Sequence, residues 1–367
     1  MKTICIFAPM KHLVIRNLGP LKEADVELKR INVIIGSQSS GKSCVLKTAC
    51  YCTWVEKRIE LTQTSDFFAK DGNFLKELER FHKLQGYIKN DTFISYESDF
   101  MAFSYDNATD TFKFEWKEGR WNYRRSKVTY IPAERNLVAA IPNWFQVKFN
   151  DDNIRDFMAD WETARQATTN DLSVLNLGVS YHYDANTKSD KVEVADGVTL
   201  DFTNTSSGLQ SLIPLYVHLQ YLQIMLLGAV NTESVKGRQE KEMLWRKIQE
   251  NIDDKKEAMI IFGRYATPYY CDIFLEEPEA NLFPPTQSNL TEWLIELTQL
   301  PCPNNLFIAT HSPYILNAFM EKQDLDMALL YTRTTEGQFA VKMSTEQDFQ
   351  DIYDYGVDTF FNIETLG

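Results

Sequence analysis

Glycine, serine and lysine residues between positions 36 and 43 have the spacing of a phosphate-binding loop. The run Gly36-Ser37-Gln38-Ser39-Ser40-Gly41-Lys42-Ser43 follows an apolar stretch and precedes a helical pattern, the context that this motif requires. Its glycines allow backbone N–H groups to face phosphate oxygens at a helix N-terminus. We expect Lys42 to reach the β- and γ-phosphates of a bound nucleotide and the Ser43 hydroxyl to bind Mg²⁺. The predicted nucleotide-binding set extends to Cys44, the next residue.

Carboxylates follow a second apolar stretch, in Asp272-Ile273-Phe274-Leu275-Glu276-Glu277-Pro278-Glu279. In open α/β sheets, ligands bind at the carboxyl ends of the strands. Glu276 occupies the place that usually holds an Asp, and we predict it as the second metal residue, beside Ser43. Glu277 is the candidate that polarises an attacking water. Alone, this segment would also fit a solvated acidic turn after a core strand.

Two further motifs carry a histidine and a second glycine-serine turn. Ala309-Thr310-His311-Ser312-Pro313 ends another apolar stretch, where a histidine can hydrogen-bond the γ-phosphate or the attacking water. With Lys42 and Glu277, His311 completes the predicted catalytic set. Ser206-Ser207-Gly208-Leu209-Gln210 precedes a long helical pattern, where an ordinary helix cap is the alternative. Since the chain already has one complete phosphate cradle, we expect this second turn to cap the γ-phosphate bound to a partner subunit.

The elements that must position these motifs follow an α/β pattern. Short apolar runs at Ile31–Ile35, Ile273–Leu275 and Leu306–Ala309 are typical of strands buried on both faces of a sheet. Antiparallel strands are predicted near 11–35 and 92–131, with a hairpin turn at Glu118-Gly119. The remaining predicted elements are helices over 151–170 and 209–227, strands over 179–183 and 192–202, a solvated helix or loop over 232–257, a helix around 290–297, and closing strands over 328–331 and 338–341.

Composition restricts the class of protein. The 367 residues are 44% apolar and 24% charged, as in ordinary globular proteins, and no apolar run approaches the roughly 18 residues of a membrane span. The stretch Ile4–Ala8 is too short for a signal-peptide core, so we expect a cytoplasmic protein without a membrane partner. The cysteines lack zinc-site spacing and are predicted to be reduced thiols; they are Cys5, Cys44, Cys50, Cys52, Cys271 and Cys302.

The net charge of -13 argues against a broad basic surface for nucleic acid, although a local groove or one formed at a dimer interface stays open. Residues 116–127 hold five basic side chains with Trp116, Trp121 and Tyr123 interleaved. This pattern allows base stacking, but an ordinary amphipathic hairpin explains it as well and is the favoured interpretation.

The order of the four motifs resembles that of the ABC ATPases. More narrowly, it is similar to the overcoming-lysogenization-defect and RecF-like branch, which supplies ATPase subunits to many bacterial anti-phage systems. The opening Val14-Ile15-Arg16-Asn17-Leu18-Gly19-Pro20-Leu21 and the segment Glu279-Ala280-Asn281-Leu282-Phe283-Pro284 belong to the same pattern. Two departures are evident: Glu276 replaces the commoner Asp, and no glutamine-bearing loop is obvious, Tyr130–Arg135 being the segment nearest its place.

This resemblance implies an ABC-ATPase-type P-loop fold with a mainly parallel core sheet, an antiparallel β lobe and a helical lobe. The ATPase domain would cover residues 11–345, with the helical signature lobe at about 150–262. It also implies an ATP-sandwich homodimer or higher homo-oligomer, in which Ser207, Gly208 and Gln210 of one copy face the ATP and Mg²⁺ of the other.

Related nucleases of the branch continue into a metal-dependent domain. Only 56 residues follow His311, so we expect that domain to be lacking, residues 346–367 to dock a partner, and any nuclease or toxin activity to belong to a separate effector protein.

Three functional hypotheses follow. The first is a slow or partner-regulated ATPase that controls an effector in anti-phage defence, where binding of nucleic acid is allowed but not required. The second is a repair or recombination ATPase that clamps DNA, and the third is a scaffold that binds ATP with negligible turnover. The defence role rests on the resemblance alone, because a fold does not determine a function.

Overall fold

The computed structural model of the chain describes residues 10–194, 197–228, 235–300, 304–322, 324–335, 337–363 and 366. The apolar stretch Ile4–Ala8 and two of the cysteines, Cys5 and Cys302, lie outside the described residues. Among the described residues, the other four cysteines, Cys44, Cys50, Cys52 and Cys271, are buried and form no disulfide. No helix in these ranges is both long enough and apolar enough to cross a bilayer.

Strands and helices alternate over most of the described chain. The strands are β1 Lys11–Leu18, β2 Leu21–Leu28, β3 Ile31–Ile35, β4 Ile88–Ser98, β5 Met101–Asp106, β6 Thr111–Trp116, β7 Ser126–Ile131, β8 Leu172–Ser173, β9 Ser180–Asp184, β10 Ser189–Val194, β11 Val198–Asp201, β12 Tyr270–Glu276, β13 Asn305–Ala309, β14 Met327–Thr335 and β15 Gln338–Met343. The helices are α1 Lys42–Thr62, α2 Asp66–Ala69, α3 Asn73–His82, α4 Leu137–Ala140, α5 Asn153–Ala167, α6 Ser207–Leu226, α7 Val235–Asn251, α8 Lys255–Ala266, α9 Pro284–Gln299, α10 Pro313–Met320, α11 Glu346–Tyr355 and α12 Thr359–Asn362.

One large sheet runs through the molecule in the order β6-β5-β4-β1-β2-β15-β14-β3-β13-β12-β7. Its core, β14-β3-β13-β12-β7, is parallel throughout, whereas β1, β2, β4, β5 and β6 pair antiparallel. A second, antiparallel sheet has the order β11-β10-β9-β8. The predicted fold class, a mixed α/β fold with a parallel core, an antiparallel lobe and a helical part, is confirmed.

The parallel strands are apolar along their whole length because both faces of the sheet are covered. Alternate residues of β3 enter different cores: Val33 packs with α6, α9 and α10, and Ile34 packs with α1 and the antiparallel strands. On the α1 side, the rings of Phe274 and Phe307 stack with centroids 4.3 Å apart. Burial on both faces fixes the positions of the loops that follow these strands.

Residues 150–262 contain α5, α6, α7, most of α8 and the second sheet. Trp161, Tyr181 and Phe202 form an aromatic cluster between α5 and that sheet. The single strand predicted over 192–202 is wrong, since β10 and β11 form a hairpin whose turn includes Gly197 in the left-handed region, at φ 73°. Alternation alone did not locate this turn.

The predicted hairpin turn at Glu118-Gly119 is also wrong. β6 ends at Trp116 and continues into the 3-10 segment Glu118–Asn122, which does not pair with a further strand. Gly119 packs so closely on the carbonyl of Asp99 that a Cβ there would lie 2.2 Å from its oxygen. This contact turns the chain away from the sheet, so the amphipathic-hairpin interpretation of residues 116–127 is not supported.

Two segments outside the sheet are packed helices. The polar stretch after residue 234 forms α7 and α8, whose Leu244 and Ile248 bury against Leu61 at the end of α1. In the C-terminal segment, α11 is capped by Thr345 through a capping box, and Ile352 joins the core that contains α9 and α10. The described residues after 345 are therefore packed on the body of the protein.

Candidate nucleotide site

The parallel strands bring the predicted motifs to one edge of the sheet. β3 leads into the phosphate loop, β12 ends at Glu276, and β13 leads into Thr310 and His311. Because β3, β13 and β12 are adjacent and parallel, their carboxyl ends meet at this edge. Nε2 of His311 lies 3.9 Å from Oε1 of Glu277. Two of the three predicted catalytic side chains are thus close neighbours.

Residues 36–41 form a tight loop in which three residues have a positive φ. Gly36 has φ 154°, Ser39 φ 61° and Gly41 φ 97°. A Cβ on Gly36 would lie 1.8 Å from Oγ1 of Thr332 on β14, so the loop presses against the neighbouring strand. Gly41 offers no side-chain cap to α1 and the first turn of α1 carries no acidic residue. The N–H groups at this helix start are therefore oriented for an anion such as phosphate.

Lys42 lies over the loop with its amine turned inward. Its Nζ donates to the carbonyls of Gly36 (3.0 Å) and Ser37 (2.7 Å). Burial lowers the pKa of Lys42 to about 8, against the opposing influence of the Glu277 and Glu279 carboxylates. A buried amine beside phosphate-facing N–H groups is suited to bind an additional negative charge.

Ser40 differs from the neighbouring serines of the loop because its side chain is bonded inside the protein. Its side chain is fully buried, donates to the Ser37 carbonyl at 2.7 Å and accepts from the Thr332 hydroxyl at 2.6 Å. The Ser40 N–H also donates to the Ser37 carbonyl, at 3.4 Å, so Ser40 closes the loop on itself while its hydroxyl connects the loop to β14. Sequence reasoning did not identify Thr332, because this contact spans 292 positions.

The two predicted metal residues, Ser43 and Glu276, flank the start of α1. Ser43 is exposed, and the Glu276 side chain is nearly buried with Oε1 3.9 Å from Nζ of Lys47. Burial is the main cause that raises the pKa of the Cys44 thiol to about 11, while Lys47 lowers this pKa and Glu276 raises it.

One hydroxyl and one carboxylate fit Mg²⁺, which completes its octahedron with waters and substrate phosphate oxygens. They do not fit a metal held by the protein alone, since no cluster of three or more His, Cys, Asp or Glu side chains suited to a metal occurs in the described ranges.

Glu277 has a strained backbone and an accessible side chain. Its φ is 42°, in the left-handed region that a non-glycine residue adopts only at a cost. Its N–H donates to the Ala309 carbonyl of β13 at 2.9 Å, and its side chain is 48% exposed. Such strain is characteristic of functional turns, where the surrounding structure enforces it.

Glu279 ties the carboxylate turn to the histidine loop. It accepts from the His311 backbone N–H at 2.7 Å and from the Thr310 hydroxyl at 2.8 Å. Burial raises the pKa of Glu279, and burial together with Lys42 lowers the pKa of His311, which keeps the imidazole neutral near pH 7. A neutral imidazole can donate to a phosphate or accept from a water. The Glu-Glu-Pro-Glu pattern pointed to this acidic turn but not to the role of Glu279.

The second glycine-serine turn begins α6. Ser206 caps the helix by accepting from the Leu209 N–H at 3.4 Å, so it serves its own protomer. Gln210 donates to the carbonyls of Thr203 and Thr205 and orders the preceding loop. Ser207 is exposed at the first helical position. The helix-cap alternative is therefore correct for Ser206 and still leaves Ser207 facing outward.

Gly208 brings this turn against the loop that follows the carboxylates. A Cβ on Gly208 would lie 3.0 Å from the carbonyl oxygen of Asn281. The Asn281 amide in turn donates to the Ser211 hydroxyl at 2.8 Å. The start of α6 and the Glu277 turn are thus neighbours within one protomer.

A cavity of about 710 Å³ lies elsewhere, below the C-terminal half of α1 and against β7, α5 and α7. It shares no lining residue with the phosphate loop. Charged groups in its wall pair with one another, as in Lys57 with Glu240 (2.9 Å) and Lys127 with Asp160 (2.8 Å). The nucleotide motifs, rather than this cavity, define the candidate site.

No protein-family model matches the sequence, and no curated protein matches it. Among solved structures, the chain is similar to the SMC head domain from Thermotoga maritima, with 10% identity and a TM-score of 0.43, covering 92% of this chain and 100% of that one. It is also similar to the SMC head domain from Pyrococcus furiosus with an extended coiled coil, bound to the C-terminal domain of ScpA. That similarity has 9% identity and a TM-score of 0.47, and it covers 95% of this chain and 99% of that one. A third similar structure is an inward-facing metal-chelate type ABC transporter, with 12% identity and a TM-score of 0.35, covering 96% of this chain and 89% of that one.

Proposed function

We propose that the protein is an ABC-type ATPase that binds and hydrolyses ATP and closes on it as a dimer. The observation that carries this proposal is the meeting of three features at one sheet edge: an uncapped helix start with an inward lysine, a strained exposed Glu277, and the His311 imidazole 3.9 Å from the Glu277 carboxylate. Together they are suited to hold a triphosphate and direct a water onto its last phosphorus.

Each residue would have one task in this reaction. Lys42 binds the β- and γ-phosphates in place of the loop carbonyls, and Glu277 orients the attacking water. His311 donates to the γ-phosphate or to that water. Ser43 and Glu276 would hold Mg²⁺, which neutralises charge on the β- and γ-oxygens. Ser207 and Gly208 of the partner copy would cap the γ-phosphate with the start of their helix.

The dimeric arrangement is supported by the outward position of a second helix start. Ser207 is exposed at the N-terminus of α6, a helix of 20 residues without an acidic side chain in its first turn. Phe283, just after the loop that touches Gly208, is 74% exposed. A helix start that attracts anions and an exposed aromatic side chain on one face fit a surface that a second copy covers.

We further propose that the ATP-bound state regulates a separate effector, a nuclease or toxin in an anti-phage system, as the motif pattern suggests. Exposed apolar side chains in the C-terminal segment support this proposal: Phe361 is 88%, Tyr353 60% and Val357 49% exposed. Asp354 and Asp358 are exposed on the same segment. A surface that mixes apolar and acidic side chains fits a partner protein with basic and apolar side chains.

The DNA-clamp alternative receives less support. Three of the five basic side chains between 116 and 127 pair with carboxylates, in Lys117–Glu97, Arg125–Glu240 and Lys127–Asp160. Arg120 instead lies over the Trp116 ring at 3.7 Å. Because these cations already have partners, the segment offers little uncompensated charge to phosphates.

Association in the presence of ATP tests the proposal directly. We expect the mass measured by light scattering to double, or rise to a higher even multiple, when ATP and Mg²⁺ are added, and phosphate to be released with slow turnover. ADP should leave the mass unchanged, because it lacks the γ-phosphate that the partner helix caps. Failure of the protein to bind ATP at all would refute the ATPase, whereas ATP binding without turnover would favour the scaffold alternative.

The lowered pKa of the Lys42 amine predicts that the affinity for ATP depends on pH. Its pKa is about 8 without nucleotide, and the phosphates would raise it because they favour the charged amine. ATP therefore binds the protonated form more tightly, and affinity falls as pH rises through 8. We expect the Kd for ATP at pH 9 to be about tenfold higher than at pH 7.5, measured with a fluorescent ATP analogue. Lys42→Arg, which stays charged, should show a flat profile; an equally flat profile in the unsubstituted protein would contradict this origin.

A further inference from the structure

Arg135 is a fully buried side chain in the loop after β7. Its guanidinium donates to the carbonyls of Glu276 (3.0 Å), Glu277 (2.9 Å) and Pro278 (3.2 Å), the complete turn that carries the candidate catalytic carboxylate. Its Nε donates to the carbonyl of Ser211 in α6 at 3.0 Å. One planar group thus connects the carboxylate turn to the helix that begins with Ser207.

The position of Arg135 is costly, which argues that its hydrogen bonds matter. Burial lowers the pKa of Arg135 to about 10, while the carboxylates of Glu279, Glu277 and Glu276 oppose that shift. The group is therefore a buried cation at neutral pH, and burial of a cation destabilises a protein unless its donors are satisfied. Lysine could not make the same contacts, because its compact ammonium has three donors on one nitrogen and cannot reach all four of these carbonyls.

On the carboxylate side, Arg135 holds a strained turn in place. Glu277 is in the left-handed region at φ 42°, and three hydrogen bonds hold its backbone. Its N–H donates to the Ala309 carbonyl, and its own carbonyl accepts from the Ala280 N–H and from Arg135. Of these bonds, only the one from Arg135 connects the turn to α6, and its loss would weaken the constraint on the strained turn and on the direction of the Glu277 side chain.

On the helix side, Arg135 contacts α6 where a proline interrupts the hydrogen bonds of the helix. Pro214 lies inside the helix, so the carbonyl of Gln210 lacks the N–H that usually bonds to it. The next carbonyl, that of Ser211, accepts from Arg135. The Ser211 hydroxyl also accepts from Asn281, which gives a second link between the same two segments.

We propose that Arg135 is a positioning residue for ATP hydrolysis, which couples the helix start that contacts the partner's ATP to the Glu277 turn of its own protomer. Closure of the dimer would press on Ser207, and the rigid connection from Ser211 through Arg135 would transmit that displacement to the water-orienting carboxylate. This inference rests on the proposed ATPase function and adds a route by which one site senses the other.

Steady-state kinetics of Arg135→Lys test the inference. We expect kcat to fall about 100-fold, because a small misplacement of a catalytic group has an effect of this size. The KM and the Kd for ATP should change less than about threefold, since the phosphate loop is untouched. Arg246→Lys is the matched control: it makes the same exchange at an exposed arginine on α7, outside the site, and should retain the parental kcat.

A folded Arg135→Lys protein with the parental kcat would overturn the inference, as would a loss confined to KM. If Arg135→Lys fails to fold, Ser211→Ala decides: it removes the second link only, and an expected fall in kcat of about fivefold supports the coupling, while an unchanged kcat overturns it. The proposed function fails separately, if the unsubstituted protein and Arg246→Lys release no phosphate from ATP.

Discussion

Glu277→Gln should lower ATP turnover by about 10²- to 10⁴-fold, the range for removal of a general base, and leave ATP binding intact. The amide keeps the size and one acceptor of the side chain but cannot take a proton from the attacking water. Because the side chain is 48% exposed, the substitution should not change the melting temperature. Because the closed dimer could no longer hydrolyse its ATP, we expect the dimer to persist for much longer after dilution. Single-turnover hydrolysis and light scattering measure the two effects.

Glu296→Gln provides the control for that experiment, because Glu296 is an exposed carboxylate on α9 that takes no part in the site. It should behave as the parent in both assays. Undiminished turnover in Glu277→Gln would show that another group orients the water. If neither protein hydrolyses ATP, the scaffold alternative gains support.

The parallel half of the fold could be predicted because short, continuous stretches of the sequence indicate its strands and its phosphate loop. Apolar runs such as Ile31–Ile35 mark strands buried on both faces, and the phosphate loop has a fixed context of strand and helix. The same locality placed Glu277 and His311 at strand ends, from which their proximity follows once the strands are adjacent.

The remaining errors and omissions arose where distant contacts decide the structure. The chain turns at Gly119 because it meets Asp99, and the phosphate loop is held by Thr332 on another strand. The sequence placed Arg135 only in the segment nearest the missing glutamine loop, because its acceptors at Ser211 and Glu277 lie 76 and 142 positions away. Nothing in the neighbouring sequence could indicate these partners.

Two inactive variants should restore activity to each other if the nucleotide sites are shared between copies. Lys42→Ala removes the phosphate-binding amine from its own loop. Ser207→Glu places a carboxylate at the first position of α6, where it suits the helix dipole but repels a partner's γ-phosphate. In a mixed dimer one site then carries both defects, and the other has an intact Lys42 and an intact Ser207.

Each variant alone should show almost no turnover, whereas an equimolar mixture that exchanges subunits freely should recover about a quarter of the parental rate. Half of the dimers are then mixed, and each has one intact site of two. Mixing Lys42→Ala with the double variant Lys42→Ala/Ser207→Glu supplies no intact loop and should restore nothing. If native mass spectrometry detects mixed dimers and activity is still absent, or if Ser207→Glu alone hydrolyses ATP normally, the start of α6 does not act on a neighbouring copy. A quarter-rate recovery would instead require that the exposed helix start reach across the dimer, because no single protomer in the mixture carries both intact parts.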